Sequence, residues 1–299
     1  MSVSVYKIKK WYKMIAGKSI SHVNQGIGTC YSKDEIMGYY NDLTEKVTKD
    51  NPNILVPRYH VDTGEKIYFS IGVFQYGLGA YDLYLKTKDQ LYKDKVIACA
   101  NWAVENQQDD GSWITFAYEN PDHPYSSMAQ GEGISLLIRA NIVSGDERYL
   151  FAAHKAKDFM LKPIREGGTT EYEGQDVFFY EYTEKPLVLN GWIFSIWGLY
   201  DYYKHSKDEV VRELFERSLI TLKNKLLDFD IKFWSKYDNH KNICSPFYHK
   251  LHIAQLNVMY DLFGDSIYKE VAVKWELYEK SFWKRKKAFL IKALQKIFE

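Results

Sequence analysis

The sequence predicts an all-α fold, an (α/α) barrel of about four helical hairpins with aromatic loops and short β-hairpins at one rim. Three observations lead there. Only seven prolines interrupt the 299 residues, and apolar residues recur with helical periodicity through most of the chain. The helices drawn on that periodicity cover 67–87, 90–107, 126–143, 146–162, 187–204, 207–228, 245–263 and 265–282. They fall into pairs whose first members begin at intervals of about 59, 61 and 58 residues, the mark of a repeated αα-hairpin. First members such as AQGEGISLLIRA and LNGWIFSIWGLYDYY are apolar on most sides and belong inside. Second members such as KDEVVRELFERSLITLKNKLL carry a charged face and belong outside.

Taken in order, residues 1–66 read as a basic segment, a helix and a lead-in that pack on the barrel, with Ser32 and Glu35 spaced as a capping box. Residues 67–282 form the barrel, and Ser206 with Glu209 gives a second capping box at the start of its sixth helix. Residues 283–299 form a basic amphipathic helix. Gly77, Gly131 and Gly191 recur near the start of three inner helices, beside Gln75, Gln130 and Asn190. They read either as close helix packing or as marking amides aimed into the barrel mouth. The turn NQQDDGSW, ending at Trp113, is a structural staple common to (α/α) toroids. Loops 108–125, 163–186 and 229–244 are long and aromatic: Trp113, Phe116, Tyr118 and Tyr125 in the first, Tyr172 and Phe178 to Tyr182 in the second, Phe233, Trp234 and Tyr237 in the third. All three lead into inner helices, so they gather at one rim, where helix N-termini favour anions. An aromatic cleft of that kind suits an acidic sugar polymer.

Composition narrows the function classes. Forty basic and 39 acidic residues leave a net charge of +1, which disfavours nucleic acid as a partner. The aromatic share of 16% fits either a carbohydrate cleft or a thick aromatic core. Cys30, Cys99 and Cys244 are odd in number and widely spaced, so neither a disulfide framework nor a zinc site is indicated, and a reducing compartment is the simplest reading. No apolar stretch has the length of a signal-peptide core or a spanning helix. A cytoplasmic location follows as the expectation, peripheral at the inner face of the membrane. The peripheral part rests on the chain ends. Residues 1–18 hold five lysines and no acid, and residues 279–299 hold seven bases and two acids, which leaves the body at −9. In the C-terminal segment Trp283, Leu290, Leu294 and Ile297 share one helical face, as expected of a helix on an anionic membrane. The alternatives are that this face packs on the barrel, or that the lysines guide an acidic polymer.

Several blocks, in order, resemble the C-terminal catalytic domain of the D-glucuronyl C5-epimerases: VFQYGLGAY (73–81), NWAVENQQDDGSW (101–113), YSSMAQGEGISLLIRA (125–140), EYTEKPLVLNGWIFSIWGLYDYY (181–203), and Tyr237-Asp238 followed by YHKLHIAQL (248–256). The family turns glucuronate into iduronate in heparosan and heparan chains. The resemblance implies an (α/α) barrel and catalysis by a carboxylate and tyrosines, which fall on Glu181, Tyr182, Tyr237 and Tyr248, with His249 and His252 as the histidines of a Tyr-His-x-x-His motif. Two departures stand out. The β-rich region of animal members is absent between Tyr81 and Asn101, and no arginine follows Tyr237-Asp238 or precedes Tyr248. Lys236, His240, His249 and Lys250 are the local replacements.

The implied reaction needs a base on one face of the sugar, an acid on the other, and donors on the substrate carboxylate while negative charge builds up on it. Glu181, Tyr182, Tyr237 and Tyr248 are the catalytic candidates. A tyrosine serves as base near neutral pH only where positive charge lowers its pKa, a role open to His249, Lys250 and the helix N-termini. Trp113, Tyr125, Gln130, Asn190, His249, Lys250 and His252 are candidates for binding substrate. Asp109, Asp110, Asp122 and His123 form no convincing ligand set, so neither metal nor cofactor is expected. A uronate-specific polysaccharide lyase is the main alternative. A glycoside hydrolase pairing Glu181 with Asp238 or Glu132, and a non-catalytic glycan-binding toroid, rank lower.

Overall fold

A computed structural model describes residues 23–298 apart from Asn24 and Asp62, so the N-terminal lysine cluster lies outside the described residues. A short helix α1 (Thr44–Thr48) and a two-stranded hairpin (β1 Tyr59–His60, β2 Lys66–Ile67) precede four helical hairpins. These are α2 (Ser70–Thr87) with α3 (Gln90–Asn106), α4 (Ser127–Ser144) with α5 (Glu147–Leu161), α6 (Leu189–Ser206) with α7 (Glu209–Lys225), and α8 (Pro246–Phe263) with α9 (Ser266–Lys280). A last helix, α10 (Phe282–Phe298), follows α9. The all-α class holds, and most helix bounds lie within two or three residues of those expected.

Each hairpin turns in the same way. The inner helix ends on a residue in the left-handed region, Lys88, Gly145, Lys207 or Gly264, and the next residue is an aspartate that caps the outer helix. The Asp89, Asp146, Asp208 and Asp265 carboxylates accept from backbone N–H groups in the first turn beyond. This corrects both capping boxes. Ser206 is the last residue of α6, and Asp208, two residues on, is the cap of α7. Ser32 Oγ accepts from the N–H groups of Asp34 and Glu35, but the chain there makes a bend and no helix.

The inner helices are buried on nearly every side, as their composition requires. They pack in succession, α2 on α4, α4 on α6 and α6 on α8, while α8 and α2 share no comparable interface. The α4–α6 contact is closest, because a Cβ on Gly198 would lie 2.3 Å from Cα of Gly131. Five of the eight tryptophans, Trp113, Trp192, Trp197, Trp234 and Trp275, are wholly buried, so much of the aromatic surplus fills the core.

Residues 25–43 run across the C-terminal halves of the inner helices, and a buried ion pair ties them down. Arg139 of α4 donates to Asp201 of α6 at 2.5 Å, to the carbonyl of Met37 at 2.9 Å and to that of Gly38 at 3.2 Å. Asp201 also accepts from Tyr40 at 2.7 Å and Ser135 at 2.7 Å. With its guanidinium left unpaired in the core, Asp201→Asn is expected to cost about 3–5 kcal/mol, read from urea unfolding.

Candidate functional site

The site forms at the opposite rim, where the inner helices begin. The loop before α6 and the loop before α8 are stitched together by backbone hydrogen bonds, from Leu189 to the carbonyl of Tyr237 and from Asn239 to that of Leu187. A hairpin of β3 (Thr170–Glu173) and β4 (Asp176–Phe179) leads the chain into this seam. The seam brings Glu181, Tyr182, Tyr237 and Tyr248 into one group. The rings of Tyr237 and Tyr248 meet edge to face at 4.8 Å, and Tyr182 stacks on Phe116 at 4.2 Å. Ser245 caps α8 and Pro246 opens it, which fixes Tyr248 in the first turn.

Glu181 is buried, and its Oε2 has no hydrogen-bond partner. It lies against the first turn of α6, where a Cβ on Gly191 would come within 2.4 Å of Oε2. Of the three recurrent glycines, Gly77 and Gly131 serve close helix packing, and Gly191 makes room for this carboxyl. Burial pushes the Glu181 carboxyl up to about 8, while the Lys185 ammonium and hydrogen bonds from Tyr182 and Tyr237 pull the other way. Burial first, and then the adjacent Glu181, hold the Tyr182 and Tyr237 phenols well above their usual range.

Lys185 was not singled out in the sequence. Its Nζ lies 4.2 Å over the Tyr182 ring and pairs with Glu119 at 2.5 Å. Its place three residues after Tyr182, in the turn closed from Lys185 N–H to the Tyr182 carbonyl, was the available signal. The pairing with Glu119, 66 residues away in the first aromatic loop, had none.

The other candidates divide. Gln130 is turned into the protein. It donates to the carbonyls of Gly111 and Ala156 and accepts from the N–H of Trp113, so its amide is used up in tying helices to their turn. Trp113 is buried, with its indole N–H on the Ala103 carbonyl, and is a packing residue. Tyr125 packs edge-on against Phe159 of the outer helix α5. His249 stacks on Trp234 at 3.6 Å and is held by Ser235 and the Trp275 carbonyl, and burial pulls it down to about 3. It is neutral, and Lys250 is turned to Glu279, so neither supplies charge to the tyrosines. His252 is also buried and pulled down to about 3, with Nδ1 near Cys244 and Nε2 without a partner. Asn190 stands in the first turn of α6, beside Gly191, with an unpartnered Oδ1. Asp238 spends its carboxylate on the His240 and Asn242 backbone and the Asn242 side chain, which removes it as a hydrolase partner for Glu181. Among the described residues no group of three His, Cys, Asp or Glu is placed to hold a metal ion.

A helical-hairpin fold with a buried carboxyl and three tyrosines at one rim defines a class, and comparison with known proteins identifies it. The family described as D-glucuronyl C5-epimerase C-terminus matches residues 110–277, more than half of the chain, and the chain belongs to that family. It is 31% identical over 208 residues to the D-glucuronyl C5-epimerase of Caenorhabditis elegans, a match covering 60% of this chain and 34% of the nematode protein. It is 26% identical over 275 residues to an uncharacterized protein of Methanocaldococcus jannaschii, covering 82% of this chain and 89% of that one. The chain thus spans about a third of the length of the nematode relative.

Two outcomes test this geometry. The folded-state pKa of Glu181 lies above its unfolded value, so its contribution to stability is present below about 4.5 and lost as pH rises through about 8. Glu181→Gln removes an ionisation penalty on the order of 4 kcal/mol, so the variant gains thermal stability over the parent at pH 9 and little at pH 5. Gly191→Ala is expected to fold but to displace the Glu181 carboxyl from its buried seat, so that the stability gained through Glu181→Gln at pH 9 shrinks in that background.

Proposed function

We propose that this chain inverts C5 of D-glucuronate residues to L-iduronate within an acidic, heparosan-like polysaccharide. The observation that carries the reading is the buried Glu181 carboxyl with Tyr182, Tyr237 and Tyr248 around it, in a chain of the C5-epimerase family. The C5 proton lies α to the substrate carboxylate. Its removal leaves an enolate-like dianion, and its return on the opposite face gives the epimer with no bond to oxygen broken.

The pKa directions support a division of roles. Glu181, once ionised, is a carboxylate of raised basicity, suited to take the C5 proton. The phenols of Tyr182 and Tyr237 stay neutral and are suited to give a proton or a hydrogen bond. Tyr248, across the ring contact with Tyr237, is the candidate for the other face of the sugar. Lys185 and the N-termini of α6 and α8 are the groups available to stabilise the dianion, in place of the arginines of animal members. Lys236 is tied to the carbonyls of its own loop.

Incubation with heparosan in deuterated water tests the proposal. Deuterium at C5 together with iduronate signals is the expected result. Chain shortening, or an unsaturated product absorbing in the near ultraviolet, overturns it in favour of a hydrolase or a lyase. Tyr182→Phe and Tyr248→Phe should each lower the exchange rate at least about 100-fold with folding preserved. The rate should rise with pH and level off above about 8 as Glu181 ionises.

A further inference from the structure

Helix α10 is mounted the opposite way round from an ordinary surface helix. It meets the rest of the protein through Ala288, Ile291, Lys292 and Gln295, residues of one face. Gln295 accepts from the Ile243 N–H at 3.1 Å and donates to the Lys241 carbonyl at 2.7 Å, and these bonds fix the helix's rotation. Lys284 and Lys287 lie over the rings of Tyr278 and Phe233, at 4.0 and 4.1 Å. The strongly apolar stripe therefore faces outward. Trp283 is 79% exposed, Leu290 61% and Leu294 54%, with Phe282 beside them at 53%. Lys286 and Lys287 stand on the two sides of the stripe.

We propose that this face of α10 docks the protein on an anionic lipid bilayer, with the helix lying in the plane of the interface. An outward stripe that includes two leucines is costly in water, and attraction of a polyanionic sugar would not need it, since the lysines alone would supply that. The charge of this segment selects the kind of surface: residues 279–299 hold seven bases and two acids in a chain whose net charge is only +1, and although Lys292 is buried against the protein, the exposed Lys286 and Lys287 border the stripe. A tryptophan at one end of the stripe and lysines at its borders match the depth profile of a bilayer interface. Among the described residues no helix is long and apolar enough to cross a membrane, so the contact is with one leaflet.

The test is co-sedimentation of the full chain with phosphatidylcholine vesicles and with phosphatidylcholine–phosphatidylglycerol vesicles. The expected result is binding to the anionic vesicles at low salt, weakened by added salt and at least about tenfold weaker to the neutral ones. Trp283→Ser/Leu290→Ser/Leu294→Ser changes only exposed side chains and should lose binding with the circular dichroism spectrum unchanged. Lys286→Glu/Lys287→Glu should weaken binding to the anionic vesicles alone. No binding to the anionic vesicles at low salt, or equal binding by both variants and the parent, overturns the proposal. A parent dimer that the triple variant converts to monomer, without any effect on vesicles, overturns it in favour of a contact between two copies.

Discussion

The Arg139–Asp201 pair is the constraint on which much of the arrangement depends. An ion pair this deeply buried is tolerated only when its remaining donors and acceptors are satisfied. The Arg139 side chain reaches the carbonyls of Met37 and Gly38, so the segment before α1 has to cross the inner helices at that level. Asp201 takes Ser135 and Tyr40 as well, which locks α4 against α6 and fixes their register. With that register set, Gly198 falls opposite Gly131 and the two helices approach to backbone contact. The same helix carries Gly191 in its first turn, so the seat of the Glu181 carboxyl is set by an interaction at the far end of α6.

The site rim is built on another principle. Little regular structure holds Glu181, Tyr182 and Tyr237; two irregular loops instead share backbone hydrogen bonds and aromatic contacts. Hydroxyls and a carboxyl gathered this way are desolvated together, which raises the pKa values of all of them. One environment thus raises the Glu181 carboxyl and keeps the Tyr182 and Tyr237 phenols protonated.

The sequence showed the hairpin frame well because helical periodicity and small-residue inner faces are local properties. It showed the hairpin turns less well. The Lys-Asp and Gly-Asp pairs at 88–89, 145–146, 207–208 and 264–265 repeat as regularly as the helices do, while the Ser206 capping pattern falls two residues before the capping aspartate of one of them. The grouping of Glu181, Tyr182, Tyr237 and Tyr248 was legible through motif blocks. The fate of Gln130, Trp113 and His249 was not, because a motif cannot say whether an amide or a ring will find its partners in the backbone. Lys185 and Glu119 meet only because two loops distant in sequence are folded onto each other.

The two rims differ in how much change each can take. Every inner helix passes to its outer partner through two residues, one left-handed and one capping aspartate, and an insertion there would undo a cap and a helix end together. The return connections from outer to inner helix are long and irregular, and they carry the aromatic and carboxyl groups. Variation in length is therefore channelled to one end of the molecule. Lineages of this fold can lengthen, shorten or exchange their site loops while the joints at the other end hold the helices in place, so specificity can diverge on a frame that does not have to be rebuilt.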